Sequence, residues 1–323
     1  MITTTTRAQW TGAAMLVLLG ALALGAPVFA PDSPSAQHAD LAFAPPMRVR
    51  MVHEGQLQRP FVYPVHVVDR LERRFALDTA SPQPIRFFTN GRLVTTEAAW
   101  FLLGADPLGR DVLSRILYGG QLSLSVAALA ILATLVIGAL AGAVAGYAGG
   151  RVDRALMALS DFIVVLPTAY VLLTLRASMP LHLSTGAVFW TMVGVLAAAS
   201  WPLPARGVRA IVAAERRQSY AEAAYAAGAG PLRILLRHLL PAAAGHLATQ
   251  AFLLFPAFIL AEATLSFLGL GFAEPSASWG VMLQDSANVA TIVEAPWLMT
   301  PAIAVVFAVF ATHLLTRDES PRT

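Results

Sequence analysis

The chain of 323 residues contains no cysteine, which excludes disulfides, thiolate metal sites and cysteine nucleophiles together. Lysine is absent as well, so all 22 basic residues are arginine. A phosphate-cradling P-loop needs its lysine and Schiff-base chemistry needs a lysine amine; neither can reside here. Charge is scarce throughout. Only 13% of residues are charged and 57% belong to the hydrophobic set, whereas soluble domains average about 25% and about 45–50%. An excess of this size calls for lipid rather than for a larger core. There is no Gly-x-Ser-x-Gly turn to carry a serine nucleophile. The histidines at 38, 53, 66, 182, 238, 246 and 313 include no His-Glu-x-x-His pair. They are read as surface or packing residues, and no metal is assigned.

What the chain does have is long apolar runs. Spanning a bilayer takes about 20 mainly apolar residues, and six segments meet or approach that: 11–30, 121–147, 155–175, 186–203, 243–268 and 297–315. The first follows Arg7 and ends in small residues, as a signal peptide does, but its apolar run exceeds the usual length and further spans follow. It is read as an uncleaved helix. Arginine then sets the orientation. Segments 148–154 and 204–242 hold eight arginines, while 176–185 and 269–296 hold only Arg176. This bias predicts that both termini (1–10 and 316–323) and the 204–242 segment are cytoplasmic.

Residues 31–120 are thereby placed outside, despite their ten arginines, because long segments translocate largely regardless of charge. Within them, Ile85–Val94 carries Asn90-Gly91 between apolar residues, a strong hairpin signal. Pro60–Val68 predicts a further strand. The fold class expected is an all-α polytopic membrane protein of six transmembrane helices with a small outer insertion containing β structure. Two acidic residues fall inside spans. Asp161 is expected within the first two turns of its helix, where it favours the N-terminal dipole or pairs with Arg154, and Glu262 must face protein or water rather than lipid.

Segment 204–242 is too long for a turn and too polar to cross. Glu222–Ala227 predicts a short helix ending at Gly228, since glycine accepts the left-handed conformation just past a helix end. Pro231 opens a second helix, with Leu232, Leu235, Leu236 and Leu239 on one face, and Pro241 is expected to stop it. Two readings of this helix pair follow: an interfacial element on anionic lipid, or a docking knob for a cytoplasmic partner.

Glu222-Ala223-Ala224, then Gly228, then His238-Leu239-Leu240-Pro241 resembles the coupling-loop signature of ABC importer permeases; His238 stands where the family usually has Ile, a variant similar to the peptide-transport branch. Leu108-Gly109-Arg110-Asp111-Val112-Leu113-Ser114-Arg115-Ile116-Leu117-Tyr118-Gly119 resembles the segment before the second span of dipeptide and oligopeptide permeases. Leu265-Ser266-Phe267-Leu268-Gly269-Leu270-Gly271 and Ser278-Trp279-Gly280 agree. The resemblance covers about 100–315 and is to the C-type subunit. Two departures stand out: Leu103-Gly104-Ala105-Asp106 before the first block, and a tail reduced to Thr316-Arg317-Asp318.

The resemblance implies a type I ABC importer permease core over 121–315 that is itself no enzyme. It also implies a second permease subunit, two ABC ATPase subunits holding ATP and Mg, and an outer substrate-binding protein, with lipid around the spans and no nucleic acid. The site residues it marks are Glu222, Ala223, Ala224, Gly228, His238, Leu240 and Pro241 for ATPase coupling, and Gly109, Arg110, Asp111, Ser114, Arg115 and Gly119 in the outer segment. The location implied is the bacterial inner membrane. Di- or oligopeptides are the expected cargo, with nickel or another metal complex as the alternative. A self-contained secondary transporter is the competing class, and it would want inverted repeats or several intramembrane ionisable groups. No substrate-binding residue is assigned.

Overall fold

The computed structural model describes residues 7–53, 55–69, 72–89, 91–166, 170–171, 174 and 184–316. Its helices are α1 (Arg7–Leu24), α2 (Ala26–Phe29), α3 (Val112–Ala148), α4 (Gly150–Val165), α5 (Thr185–Ser200), α6 (Pro202–Glu215), α7 (Ser219–Ala226), α8 (Pro231–Ile234), α9 (Ala244–Phe267), α10 (Trp279–Gln284), α11 (Val289–Glu294) and α12 (Thr300–Thr316). Among the described residues four helical runs are long and apolar enough to cross a membrane: Arg7–Leu24, Val112–Ala148, Pro231–Phe267 and Pro296–Thr316. The pair α5 and α6, bent by 46°, makes a fifth if counted as one span. Part of the expected 155–175 span lies outside the described residues, as do Arg176, His182 and Arg317-Asp318.

The chain forms two compact units, one from Trp10–Ser125 with Glu262–Ala311, the other around Val126–Ala261. In the first, Leu22, Ala26 and Ala30 pack on Leu113, Leu117 and Tyr118. The predicted β structure is present as strands β1 (Arg50–His53), β2 (Gln56–Val62), β3 (Val65–Asp69), β4 (Arg74–Leu77), β5 (Gln83–Pro84), β6 (Arg86–Thr89) and β7 (Arg92–Thr95). They pair antiparallel as β1–β2–β5, β3–β4 and β6–β7. The expected hairpin is β6–β7, with Thr89 opposite Arg92 and Gly91 at φ +75°; Asn90 lies outside the described residues. The strand expected over 60–68 is instead divided at Tyr63-Pro64 between two sheets, as suits a proline that has no N–H to give a ladder. Met47, Val62, Val65, Ile85, Trp100 and Phe101 give the insertion its own apolar core.

Helix α3 begins nine residues before the expected span. Asp111 caps it, its Oδ2 accepting from the Ser114 amide at 2.8 Å, as acidic residues do at helix starts. Its 37 residues extend about 56 Å at 1.5 Å each, well beyond the ~30 Å hydrocarbon core. The Gly109–Gly119 block is therefore a capped helix start rather than a linker.

In the second unit, α3 presents Gly138, Gly142 and Gly146 to α6. A Cβ on Gly142 would stand 2.3 Å from the Ala205 carbonyl oxygen, and one on Gly146 2.6 Å from that of Arg209. The two backbones approach closely only because these side chains are missing. The bend between α5 and α6 falls at Trp201-Pro202, where proline cannot continue a straight hydrogen-bond ladder.

Candidate functional site

The second unit carries the first candidate site. Helix α7 starts at Ser219, earlier than the expected Glu222, and puts Glu222 in its first turn, where a carboxylate favours the helix dipole. It ends as predicted. Gly228 adopts φ +81°, its amide donates to Tyr225 O at 3.0 Å, and the Ala229 amide donates to Ala224 O at 3.1 Å. These are both hydrogen bonds of a Schellman cap. A Cβ on Gly228 would meet nothing within 4 Å, so its requirement is conformational.

Pro241 does not stop the second helix. The run continues from Pro231 to Phe267 through a π turn at Leu235–Leu239 and a 3₁₀ turn at Leu240–Ala243. The Leu240 amide reaches back to Leu235 O, and this wider turn takes up the ladder before the proline, which has no donor to offer. The expected leucine face is also divided. Leu239 is buried with Ile234, Ala221, Val208, Val212 and Ala243, and Leu235 packs against them. Leu232 and Leu236 are exposed, as is Tyr225 at 72%. Glu222, Ala223 and Pro241 are exposed too, while Ala224, His238 and Leu240 are half-buried. A cavity of about 280 Å³ beside α7 is lined by Tyr147, Arg216, Ala221, Glu222, Tyr225 and Ile234.

Arginines brace this segment. Arg209 Nε donates to Asp153 Oδ1 at 2.8 Å. Arg216 donates to the Tyr147 carbonyl and stacks over the Tyr147 ring, 5.1 Å from its centroid. Asp161 pairs with Arg206 at 2.6 Å rather than with Arg154, because α4 runs beside α6 and brings the longer-range partner within reach.

The first unit gathers the outer motif residues. Asp106 Oδ1 accepts from the Leu108 and Arg110 amides at 2.8 and 2.9 Å, closing a tight turn around Gly109. Gly109 sits at φ +70°, and a Cβ there would stand 2.0 Å from His38 O. Arg110 Nε donates to Asp106 Oδ2 at 2.5 Å and its Nη2 to Glu274 Oε1 at 3.0 Å. Arg115 Nη2 meets the same Glu274 oxygen at 2.9 Å. Burial alone would raise the Glu274 carboxyl, but Arg110 and Arg115 outweigh it and hold it below the usual range. Burial pushes Asp111 up to about 6, against the Ser114 hydrogen bonds that favour its charge. Asp285 is also pushed to about 6, by burial first and then by the nearby Asp106 charge, with Arg115 opposing. Glu274 and Asp285 were not singled out from the sequence. Each is a lone carboxylate in a loop, and only the chain's return to Arg110 and Arg115 gives it a role.

The later motif blocks converge in the same unit. Ser278 caps α10, accepting from the Val281 amide at 3.2 Å. The buried Trp279 donates through Nε1 to Ile116 O at 3.1 Å, and Gly119 and Gly120 leave room for it. Gly280 lies against Ala263, where a Cβ would come 2.4 Å from the carbonyl oxygen. Gln284 Nε2 donates to Ser266 O and Phe267 O, both at 2.9 Å, among the last carbonyls of α9, which lack α-helical partners. Glu262 is fully buried, as expected, and accepts from Ser266 Oγ at 2.9 Å. Among the described residues no group of three or more His, Asp or Glu side chains is placed to hold a metal ion.

Residues 138–317 match the family described as the binding-protein-dependent transport system inner membrane component. A dipeptide transport system permease protein of Bacillus subtilis (strain 168) is 39% identical over 218 residues, 67% of this chain and 65% of that protein. A putative peptide permease protein of Brucella ovis is 37% identical over 217 residues, 67% of this chain and 69% of its own. An oligopeptide transport system permease protein of Lactococcus lactis subsp. cremoris is 31% identical over 208 residues, covering 64% and 69%. The match to the first of these relatives spans just under two thirds of its length.

Proposed function

The chain belongs to the family of binding-protein-dependent transport system inner membrane components, and from that premise we propose that it is a permease subunit of an ATP-driven importer for di- or oligopeptides. In this reading it forms half of the translocation pathway with a second permease subunit. Two ATPase subunits bind ATP and Mg on the cytoplasmic side, and an outer binding protein delivers cargo. The chain spans the bacterial inner membrane six times with both termini cytoplasmic. The naming of the relatives as dipeptide, peptide and oligopeptide permeases supports the cargo. The absence of any lysine supports leaving nucleotide chemistry to other chains.

One observation carries the coupling role: α7 is a short helix with small exposed side chains, ended by Gly228 and footed on a buried apolar cluster. Exposed Ala223 lets a partner groove approach the backbone closely, and Tyr225 offers an aromatic anchor of the kind that dominates interfaces. Below it, Ile234 and Leu239 belong to the run that continues into α9. A push on α7 is thereby passed to a membrane span without a flexible joint.

The test is co-purification of the ATPase subunits with Gly228→Val and Ala223→Trp variants, beside ATP-dependent uptake of labelled peptides. A β-branched residue at φ +81° costs about 1 kcal/mol or more, and an indole at Ala223 fills the approach. Both variants are expected in the membrane at normal levels with ATPase association weakened and uptake abolished. Normal uptake and normal co-purification in both would remove the coupling role from 222–241.

A further inference from the structure

Strand β6 of the β6–β7 hairpin carries two aromatic rings that are not part of the insertion's own core. Phe87 is 52% exposed and Phe88 82%. Phe88 is also one of few non-glycine residues with positive φ, at 55°, a strained conformation for a bulky side chain. Strain that presents an aromatic ring to the outside needs a return from elsewhere.

The tip's position supplies the reason. Arg92, directly opposite Thr89 at the turn, donates through Nη1 to the Pro31 carbonyl at 2.7 Å and lies 3.6 Å from the Asp32 carboxylate. Strand β7 packs along α2. The tip is therefore fastened to the point where the first span ends. Helix α1 has 18 residues, about 27 Å at 1.5 Å per residue, which nearly matches the ~30 Å hydrocarbon core. Its last residues, α2 and Pro31 thus lie at the headgroup level. Leu24, Val28 and Phe29 there are exposed as well, so the end of the first span to which the hairpin is fastened is itself apolar on its outer side. Phenylalanine rings, apolar throughout, gain by leaving water for the headgroup and acyl boundary, as the apolar faces of interfacial elements do. The charged side chains flanking the rings are engaged: Arg86 pairs with Glu97, and Arg92 with Pro31 and Asp32.

We propose that the β6–β7 hairpin lays Phe87 and Phe88 into the outer lipid leaflet beside the first span, so that the insertion rests on the membrane as well as on the chain. The proposal rests on α1 being a membrane span. It commits the rings to lipid rather than to a partner subunit, because Arg92 and β7 fasten the hairpin at the end of α1, where Leu24, Val28 and Phe29 are likewise exposed.

The native chain lacks cysteine, so single introduced cysteines give unambiguous sites for nitroxide labels. Phe87→Cys, Phe88→Cys, Leu57→Cys and Leu24→Cys variants of the full chain would be placed in vesicles of phosphatidylethanolamine and phosphatidylglycerol. Collision rates with oxygen, which concentrates in lipid, are then compared with those of a water-soluble nickel chelate. The oxygen-to-nickel ratio at 87 and 88 is expected to exceed that at 57, on the exposed β1–β2 tip, by several-fold and to approach that at 24. A ratio at 87 and 88 equal to that at 57 overturns the proposal. Low collision with both reagents does so too, since it means cover by protein. An aqueous ratio at 24 overturns the span reading together with the proposal, whereas a lipid ratio at 24 with an aqueous one at 87 and 88 sinks the proposal alone. The two label sites at 87 and 88 are independent, so failure of one variant to fold leaves the other to decide.

Discussion

Arg110 and Glu274, 164 residues apart in sequence, form a two-pronged ion pair in which Nη2 lies 3.0 Å from Oε1. Glu274 accepts from Arg115 on the same oxygen, and Asp106 holds both guanidinium groups from the other side. One carboxylate in the loop after α9 thus fixes the helix start before the second span.

Removing a partner from a buried pair leaves a desolvated charge, which costs roughly 3–5 kcal/mol. Loss of the Glu274 charge leaves Arg110 and Arg115, 2% and 0% exposed, with Asp106 alone, whereas loss of Arg110 leaves Glu274, 41% exposed and still paired with Arg115, so water repays part of that loss. Glu274→Gln is therefore expected to lower stability by about 3–5 kcal/mol and Arg110→Leu by about 1–3 kcal/mol. Unfolding in mixed detergent with urea measures both. Equal effects would contradict the burial argument.

Asp111 gives a prediction in pH. Its native carboxyl sits near 6, raised from 3.8, so the native state holds the proton more tightly than the unfolded chain. The stability this contributes is complete below about pH 4, declines as pH rises to about 6, and is absent above. Two pH units correspond to ~3 kcal/mol. Asp111→Asn, which keeps an oxygen to accept from the Ser114 amide, should remove this slope. The difference between variant and parent stability across pH 4–7 checks it; a constant difference would place the native carboxyl at its ordinary value. The Glu274 contribution has the opposite sign, being lost as pH falls, and cancels in that difference.

Much of the backbone of segment 204–242 is legible in the sequence because its signals are local. The Gly228 cap and the Pro231 start depend on backbone preferences within a few residues. The hairpin at Gly91 was readable for the same reason. What failed was the inference from Pro241 alone, since a π turn upstream absorbs the lost donor. The leucine face failed because burial follows the surface of α6, with Ile234 and Leu239 inside and Leu232 out. Asp161 took Arg206 instead of Arg154, and no local rule reports a neighbour 45 residues away. A spacing that was readable went unread: Gly138, Gly142 and Gly146 recur every fourth residue, the pattern by which membrane helices approach.

Topology is tested by thiol labelling. Phe61 and Ser278 lie in the segments of interest but are buried, whereas Leu57, Val293 and Tyr225 are exposed. Leu57→Cys and Val293→Cys should react with an impermeant maleimide in intact cells. Tyr225→Cys should react only after permeabilisation. Reaction of Tyr225→Cys from outside would reverse the orientation drawn from the arginine bias.

The glycine seam gives the sharpest contrast within one substitution type. At Gly142 even a methyl group meets the Ala205 carbonyl oxygen at 2.3 Å, and backbone cannot rotate aside as a side chain can. Overpacking of this kind costs typically 1–3 kcal/mol, occasionally more, and parting α3 from α6 would also disturb Val208 and Val212, on which Ala221, Ile234 and Leu239 pack. Gly194, on α5, has nothing within 4 Å of its ideal Cβ. There alanine only restrains the helix backbone, a gain of up to about 1 kcal/mol. Gly142→Ala should therefore lower the yield of monodisperse protein and its midpoint of thermal unfolding, while Gly194→Ala leaves both unchanged or raised. Size-exclusion profiles and thermal unfolding of the two variants in one detergent measure the contrast. Were Gly142→Ala as stable as the parent, the close approach of α3 to α6 would not be what holds this unit together.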